Sequence, residues 1–539
     1  MRNVLLIGFL GLSLVAFKPV RDKYFEITKS IELFANAYKQ LNANYVDEID
    51  PADLMKRGLD AMTKSLDPFT RFISETDVEN YRLEVDGKYD GIGATVRQID
   101  DYVTITGMYE DSPAKKAGLE VGDQIIAIEG KDLRGKTTRE VTRIMRGAPD
   151  SKVKVKVRNI GSQEMREVEV TRGEVHIPNV PYSGVVRDGI GYISLTTFTQ
   201  NAGKNVGRAL RRMEKEEGIK GVILDLRENG GGLLREAVGV VNVFNPARQL
   251  VVFTKGRLPD SRREYLTPHS AIDDTIPLVV LVNAHSASAS EIVSGVTQDL
   301  DRGVIMGQRT YGKGLVQNTF DIGYNSKVKL TTAKYYTPSG RCIQSAYYDH
   351  GEKKDLPDSL RTLFKTQNGR SVYGGGAVTP DVKLPKPKHP SIVWDLQRNY
   401  MIFKFVSKYK EDLNAQCDSM GCKEAVFDMF KKYLSESNYV FEGETKEAIN
   451  ALRKKAEKDG LVSSIERELK ALEQALPGQQ EKLLMDAKSE IVHLIERDVI
   501  GRNYYIKGVK RHNLSNDPEV TAAIELLNDK QAYRKLLQP

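Results

Sequence analysis

Three serines at alternate positions, Ser286, Ser288 and Ser290, lie in the string Asn283-Ala-His-Ser-Ala-Ser-Ala-Ser-Glu-Ile292, and Lys313 follows between Gly312 and Gly314. Serine is a weak nucleophile near neutral pH and needs a base, which lysine can be only when its amine is neutral. A reference pKa of ~10.4 leaves roughly one amine in a thousand neutral at pH 7.4. Burial among apolar groups depresses that value by up to ~3 to 5 units. The combination points to a hydrolase with a serine nucleophile and an amine base. His285 offers a competing Ser/His arrangement, but no third orienting group is identifiable for it. Glu291 reads as a carboxylate interacting with a helix N-terminus. Residue types alone leave the choice among the three serines open.

Two buried strands must position these groups. Ile276-Pro-Leu-Val-Val-Leu-Val282 is short, apolar and β-branched, and the small residues after it can turn into a helix. A serine at that turn stands beside the free backbone donors of the helix N-terminus. Gly221-Val-Ile-Leu-Asp-Leu-Arg227 is a second such strand, ending in Glu228-Asn-Gly-Gly-Gly232, a turn that exposes backbone N–H groups. Acyl transfer needs such donors for the oxyanion of its tetrahedral intermediate. A strand near Tyr192, a helix from about Asn201 to Glu217, the strand at 221, a helix after Gly232, the strand at 276 and a helix after Ser288 alternate. Such alternation implies a parallel or mixed sheet with both turns at one end, where open α/β sites form.

The strings Ser286-Ala-Ser-Ala-Ser-Glu-Ile292 and Tyr311-Gly-Lys-Gly314, with Lys313 25 residues after Ser288, resemble the carboxyl-terminal processing (tail-specific) serine peptidases. The resemblance selects Ser288 as nucleophile with Lys313 as base. It also matches Gln317 to a glutamine that orients the lysine amine, at a spacing that keeps both on one face of a helix or strand. It implies an oxyanion hole formed by Gly231 and the N–H of Ala289, although Gly230 stands where proline is usual. Leu66-Asp-Pro-Phe-Thr70, Tyr335 to Gln344 and Thr379-Pro-Asp381 are further family-like segments. Phe69 replaces a usual histidine there, and Cys342 a usual serine. The likeness covers roughly residues 30 to 385.

Tyr89-Asp-Gly-Ile-Gly-Ala94 through about Arg172, with Asp111-Ser-Pro-Ala-Lys-Lys-Ala-Gly-Leu119 and Val121-Gly-Asp-Gln-Ile-Ile-Ala-Ile-Glu-Gly130 inside it, resembles a PDZ domain. Gly91, Ile92, Gly93 and Ala94 would form a turn whose N–H groups hold a terminal carboxylate while the peptide adds as an extra strand.

At 539 residues and 40% hydrophobic content the chain suits several domains with real cores. Its +7 charge is spread over interleaved Lys and Glu, which gives no nucleic-acid surface. Met1-Arg-Asn followed by the apolar run Val4 to Phe17 reads as an export signal, with cleavage near Gly11 to Ser13 and retention as an anchor both open. The resemblance places the catalytic part in a bacterial periplasm or envelope. Cys417 and Cys422 could form a local disulfide or half of a metal site, but no partner pair or histidine cluster accompanies them in sequence, and Cys342 reads as structural. No cofactor, metal or nucleotide motif is read.

The expected fold is α/β multidomain, a mixed-sheet serine peptidase core with an inserted PDZ domain, an N-terminal helical arm and a helical C-terminal region. The expected boundaries are 1–20 signal or anchor, 21–85 arm, 86–175 PDZ domain, 176–385 core and 386–539 helical region. Leu461, Ile465, Leu469, Leu472 and Leu476 predict one apolar helix face in that last part. The expected function is an exported endopeptidase acting on proteins or peptides with accessible C-termini, with an envelope adaptor or a homo-oligomer as further partners. The rival reading is a noncatalytic envelope scaffold that binds protein C-termini.

Overall fold

The computed structural model describes residues 18–418, 421–441, 443–475 and 480–539. The expected export signal at residues 4–17 lies outside them, as does Leu476. Among the described residues no helix is long and apolar enough to cross a membrane. Contacts divide the chain into two units. The first comprises residues through Glu75 with Thr319–Leu330 and Tyr348–Glu352, and the second comprises the remainder.

In the first unit, helix Lys18–Asn44 is followed by helix Pro51–Lys64. Asp50 caps the second helix by accepting the N–H groups of Ala52 and Asp53, and Pro51 suits its first turn. Strand Arg71–Ile73 pairs antiparallel with Lys327 to Lys329. Ile27, Ile31, Phe34 and Leu41 of helix Lys18–Asn44 are exposed.

The second unit is built on a six-stranded sheet. Its order is Tyr182–Val185, Ile190–Ser194, Gly221–Asp225, Leu278–Val282, Val304–Gly307 and Val382–Lys383, antiparallel at the first pair and parallel thereafter. Every residue of strands Gly221–Asp225 and Leu278–Val282 is buried, so both sheet faces must be covered. On one face Val222, Leu224, Val280 and Val282 pack against helices Ala202–Glu217, Leu234–Phe244 and Ala289–Asp299. On the other, Ile223, Val279 and Leu281 meet Val520, Ile524, Leu527 and Tyr533. Helices Pro518–Asn528 and Lys530–Leu536, the last of the helical C-terminal region, thus cover this face of the core sheet.

The PDZ domain has its own core, including Val103, Ile105, Ile125, Val141, Val155 and Val170. The chain enters it through strand Lys88–Gly91 and leaves through Gly173–His176. These two strands pair antiparallel, which is the geometry of an insertion. Beyond the proline-rich segment Lys383-Leu-Pro-Lys-Pro-Lys-His-Pro390, helices from Ser391–Arg398 onward enclose another core, with Phe405, Phe427, Phe430, Ile491 and Ile495 at its centre. There Cys417 and Cys422 are joined as a disulfide. Along the stripe of helix Val462–Ala475, Leu469 is buried while Leu461 and Leu472 are exposed, so the expected face is only partly covered.

Candidate active site

Strands Gly221–Asp225 and Leu278–Val282 are parallel neighbours, with Asp225 opposite Leu281, so the turns that follow them emerge side by side. Leu226 N–H continues the pairing by donating to Leu281 O at 2.9 Å. Asn283 then links the two turns, its Oδ1 accepting Glu228 N–H at 3.1 Å and its Nδ2 donating to Glu228 Oε1 at 2.6 Å.

The three serines differ sharply in surroundings. Ser286 is fully buried; its hydroxyl donates to Leu226 O at 2.8 Å and accepts Asn283 N–H at 2.9 Å. Ser290 is fully buried and donates to Asn229 O at 2.8 Å. Ser288 is half-buried, at the N-cap of helix Ala289–Asp299, with φ 54 and ψ −110. A side chain in that region is strained and persists only where the surroundings impose it, as at a sharp strand-to-helix turn presenting a nucleophile. His285 is exposed on the loop before it.

Gly231, with φ 101, lies directly against this turn: a Cβ there would stand 2.7 Å from Ala287 O and 2.9 Å from both Ala289 N and Ser288 Cβ. Only glycine fits. Its N–H donates to Asn229 Oδ1 at 2.9 Å, so in this structure that expected oxyanion donor is engaged by a neighbouring side chain. Asn229 is itself fully buried. It donates to Leu195 O at 2.7 Å, and its carbonyl accepts Ala287 N–H at 3.0 Å as well as the Ser290 hydroxyl.

Glu291 joins the serine turn to the lysine turn. Its carboxylate is fully buried, and Oε2 accepts the N–H of Ser288 at 2.9 Å and of Lys313 at 2.8 Å. Oε1 accepts the Thr310 hydroxyl at 2.5 Å and Gly312 N–H at 2.7 Å. Burial pushes this carboxyl above its usual range against the pull of the four donors. The Tyr335 hydroxyl is a second tie, lying 3.1 Å from Ser288 O and 2.9 Å from Lys313 O. Lys313 is half-buried. Gln317 is half-buried on strand Leu315–Gly323, and its Nε2 donates to Thr331 Oγ1 at 3.3 Å.

Sequence reasoning missed several of these supports. The Ser-x-x-Glu spacing of 288 and 291 carried a capping-box signal for the second half of the Glu291 role, since its carboxylate reaches back to Ser288 N–H. Nothing in sequence marks Asn229 as a hub. Arg227 is a further case: it pairs with Asp225 at 2.6 Å, and across 290 residues with Asp517 at 2.7 Å and Glu519 at 2.5 Å. Asp225 also accepts the Tyr192 hydroxyl at 2.6 Å. The strand leading to the glycine turn is thereby clipped to the start of helix Pro518–Asn528.

In the PDZ domain, Ile92 is buried and Gly93 has φ 74, with Gly91 ending one strand and Ala94 opening the next. Carbonyls of this turn are taken by Ala114 N–H, on Ile92 O at 2.8 Å, and Tyr109 N–H, on Gly93 O at 3.1 Å. Arg146 follows helix Thr138–Met145 and runs its stem beside Gly91. Its guanidinium lies 5.4 Å from the Tyr89 ring centre and donates to Asn80 Oδ1 at 2.6 Å, while its buried Nε makes no hydrogen bond. Burial pushes the Tyr89 phenol up to about 12.

Comparison with known proteins bears on these features. A profile of peptidase family S41 matches residues 189–351, a PDZ profile matches 104–159, and a profile for the C-terminal helical domain of a probable PDZ-protease matches 392–527. A probable CtpA-like serine protease of Staphylococcus haemolyticus is 30% identical over 443 residues, 79% of this chain and 82% of that protein. A carboxy-terminal-processing protease of Bartonella bacilliformis is 32% identical over 319 residues, 59% of this chain and 73% of that protein. Among solved structures, the photosystem II D1 C-terminal processing protease is 28% identical and covers 65% of this chain and 92% of its own, with a TM-score of 0.35. Relatives that align over most of their own length leave one assignment: the chain belongs to the S41 family of carboxy-terminal-processing serine peptidases.

Proposed function

We propose that this chain is an exported endopeptidase that takes hold of the C-terminal tails of proteins through its PDZ domain and cleaves them with a Ser288/Lys313 dyad. The observation that carries the reading is the shared acceptor: one oxygen of Glu291 binds the backbone of both Ser288 and Lys313, fixing the two turns to each other. Ser288 Oγ attacks the scissile carbonyl as the neutral Lys313 amine accepts its proton. The resulting ammonium then protonates the leaving nitrogen, and water releases the acyl group by the same route, with the regenerated amine as base. Gln317 orients the lysine. The oxyanion is held by Ala289 N–H, at the first turn of its helix, together with Gly231 N–H. For Gly231 to donate, its N–H must leave Asn229 Oδ1, so substrate entry reshapes the glycine turn.

Gly91, Ile92, Gly93 and Ala94 receive the tail carboxylate, and the peptide extends along strand Ala94–Ile99. Export is supported by the Met1-Arg-Asn start and the apolar run that follows. The test is cleavage of a protein with an unfolded tail by the chain lacking residues 1 to 20, beside Ser288→Ala and Lys313→Ala, with products mapped by mass spectrometry. Cleavage by the parent alone is expected, each variant losing on the order of a thousandfold or more. Activity surviving in Lys313→Ala would overturn the dyad.

A further inference from the structure

Helix Lys488–Leu514 is broken at Tyr505, which has φ 54 and ψ −161 inside it. In an unbroken helix His493 and His512 would stand about 28 Å apart. The break instead folds the second half back, and the two imidazole rings stack with centroids 4.8 Å apart and planes inclined by 16°. Glu496, one turn along from His493, faces the same point. One ligand-capable atom from each of the three residues lies within 4.8 Å of the others.

His512 and Glu496 stand as an ion pair, but the facing imidazole nitrogens lack hydrogen bonds. The His512 side chain is 5% exposed and its Nε2 stands 3.3 Å from Glu496 Oε2, yet that nitrogen makes no hydrogen bond, and neither does the buried Nδ1 of His493. Buried imidazole nitrogens ordinarily find partners. The remaining carboxylate oxygen, Glu496 Oε1, accepts Cys422 N–H at 2.8 Å, and Cys422 is tied to Cys417 by the disulfide. Such a bond fixes a carboxylate in the way that supports around metal ligands do.

We propose that His493, Glu496 and His512 form a site for a divalent transition metal, Zn2+ above all, which fastens the two halves of the broken helix to the disulfide loop. Two imidazoles and one carboxylate suit zinc and its neighbours, whereas Ca2+ and Mg2+ prefer oxygen ligands throughout. Tetrahedral zinc with ligands at about 2.0–2.2 Å places neighbouring ligand atoms about 3.3–3.5 Å apart. The His512 to Glu496 separation already meets this, and a pair at the 4.8 Å limit would close by about 1.3–1.5 Å on binding. The sequence concealed the set because its histidines lie 19 residues apart and only the break at Tyr505 joins them.

The experiment uses the full chain without an affinity tag, stripped with a chelator, then titrated calorimetrically with Zn2+ and, as a spectroscopic probe, with Co2+. One equivalent of Zn2+, visible Co2+ absorption and a rise in Tm of a few degrees, about what saturating ligand gives, are expected. The double variant His493→Gln/His512→Gln should bind at least about tenfold more weakly and show no zinc-dependent rise. Should it not fold, Glu496→Gln supplies the same comparison. A parent that takes up no stoichiometric Zn2+, or a variant that binds as tightly as the parent, would overturn the site.

Discussion

The carboxylate of Glu291 accepts the backbone N–H of Lys313 at 2.8 Å through the same oxygen that accepts Ser288 N–H. The separation of the two turns therefore depends on a side chain with no part in bond making. In Glu291→Gln one acceptor oxygen becomes an NH2 group facing donors. Leaving such donors unmet costs about 1.5–3 kcal/mol, equivalent to roughly 10- to 100-fold in rate if borne by the transition state. A kcat/KM close to that of the parent would sink this account.

Burial raises the Glu291 pKa, so its protonated form is favoured by folding. That contribution to stability is complete below the unfolded value of about 4.3 and is lost as pH rises through the folded value. The Tm of the parent relative to Glu291→Gln is expected to fall as pH rises above about 4, because the amide does not titrate. Parallel Tm curves for the two proteins would argue against a raised value.

Removing each of the three serine hydroxyls should give three different outcomes. Ser288→Ala abolishes cleavage while keeping Tm. Ser286→Ala and Ser290→Ala leave the reaction running but lose bonds to Leu226 O and Asn229 O, at about 1 kcal/mol each. Peptide turnover and thermal melts on the three variants separate these roles, and an inactive but stable Ser286→Ala would contradict them.

Arg146 brings a positive charge and a buried, unbonded Nε to the side of Gly91. If a tail carboxylate sits in this turn, Arg146→Gln weakens binding of a free-acid peptide by about tenfold, in keeping with a charge-assisted hydrogen bond. An amidated peptide loses little. Fluorescence anisotropy with both peptides checks this, and equal losses for acid and amide would dismiss the charge as the cause.

The Tyr533 hydroxyl meets the strand that precedes the serine turn, accepting Leu278 N–H at 2.9 Å and donating to Leu278 O at 3.1 Å. Tyr533→Phe strands both buried groups and is expected to cost about 1–3 kcal/mol. Chemical denaturation followed by tryptophan-independent circular dichroism would show it as a lowered midpoint, and an unchanged midpoint would exclude it.

Much of the core was legible because its strands are unbroken apolar, β-branched runs and its first helix is amphipathic: Gly221–Asp225, Leu278–Val282 and Ala202–Glu217 fall where the pattern puts them. The two-sided burial of those strands also called for a second covering layer. Which segment supplies it was not legible, since Val520, Ile524 and Leu527 form a short stripe like any other amphipathic helix. Residue types alone left the choice among the serines open, and the family resemblance made it. The choice depends on which hydroxyls meet the carbonyls of Leu226 and Asn229, and those contacts span 60 and 61 residues. The stacked histidines depend on a tyrosine with positive φ, a conformation that tyrosine does not advertise in sequence.

Arg227 holds Asp225 with one edge of its guanidinium and Asp517 and Glu519 with the rest. A clip of this kind is thermodynamically reciprocal: whatever free energy the docked helix Pro518–Asn528 lends to order in the glycine turn, an occupied turn lends back to the helix. A covalent inhibitor on Ser288 should then slow amide hydrogen exchange in residues 518–536, and a ligand that pulls this helix away should lower the affinity for substrate by the same factor.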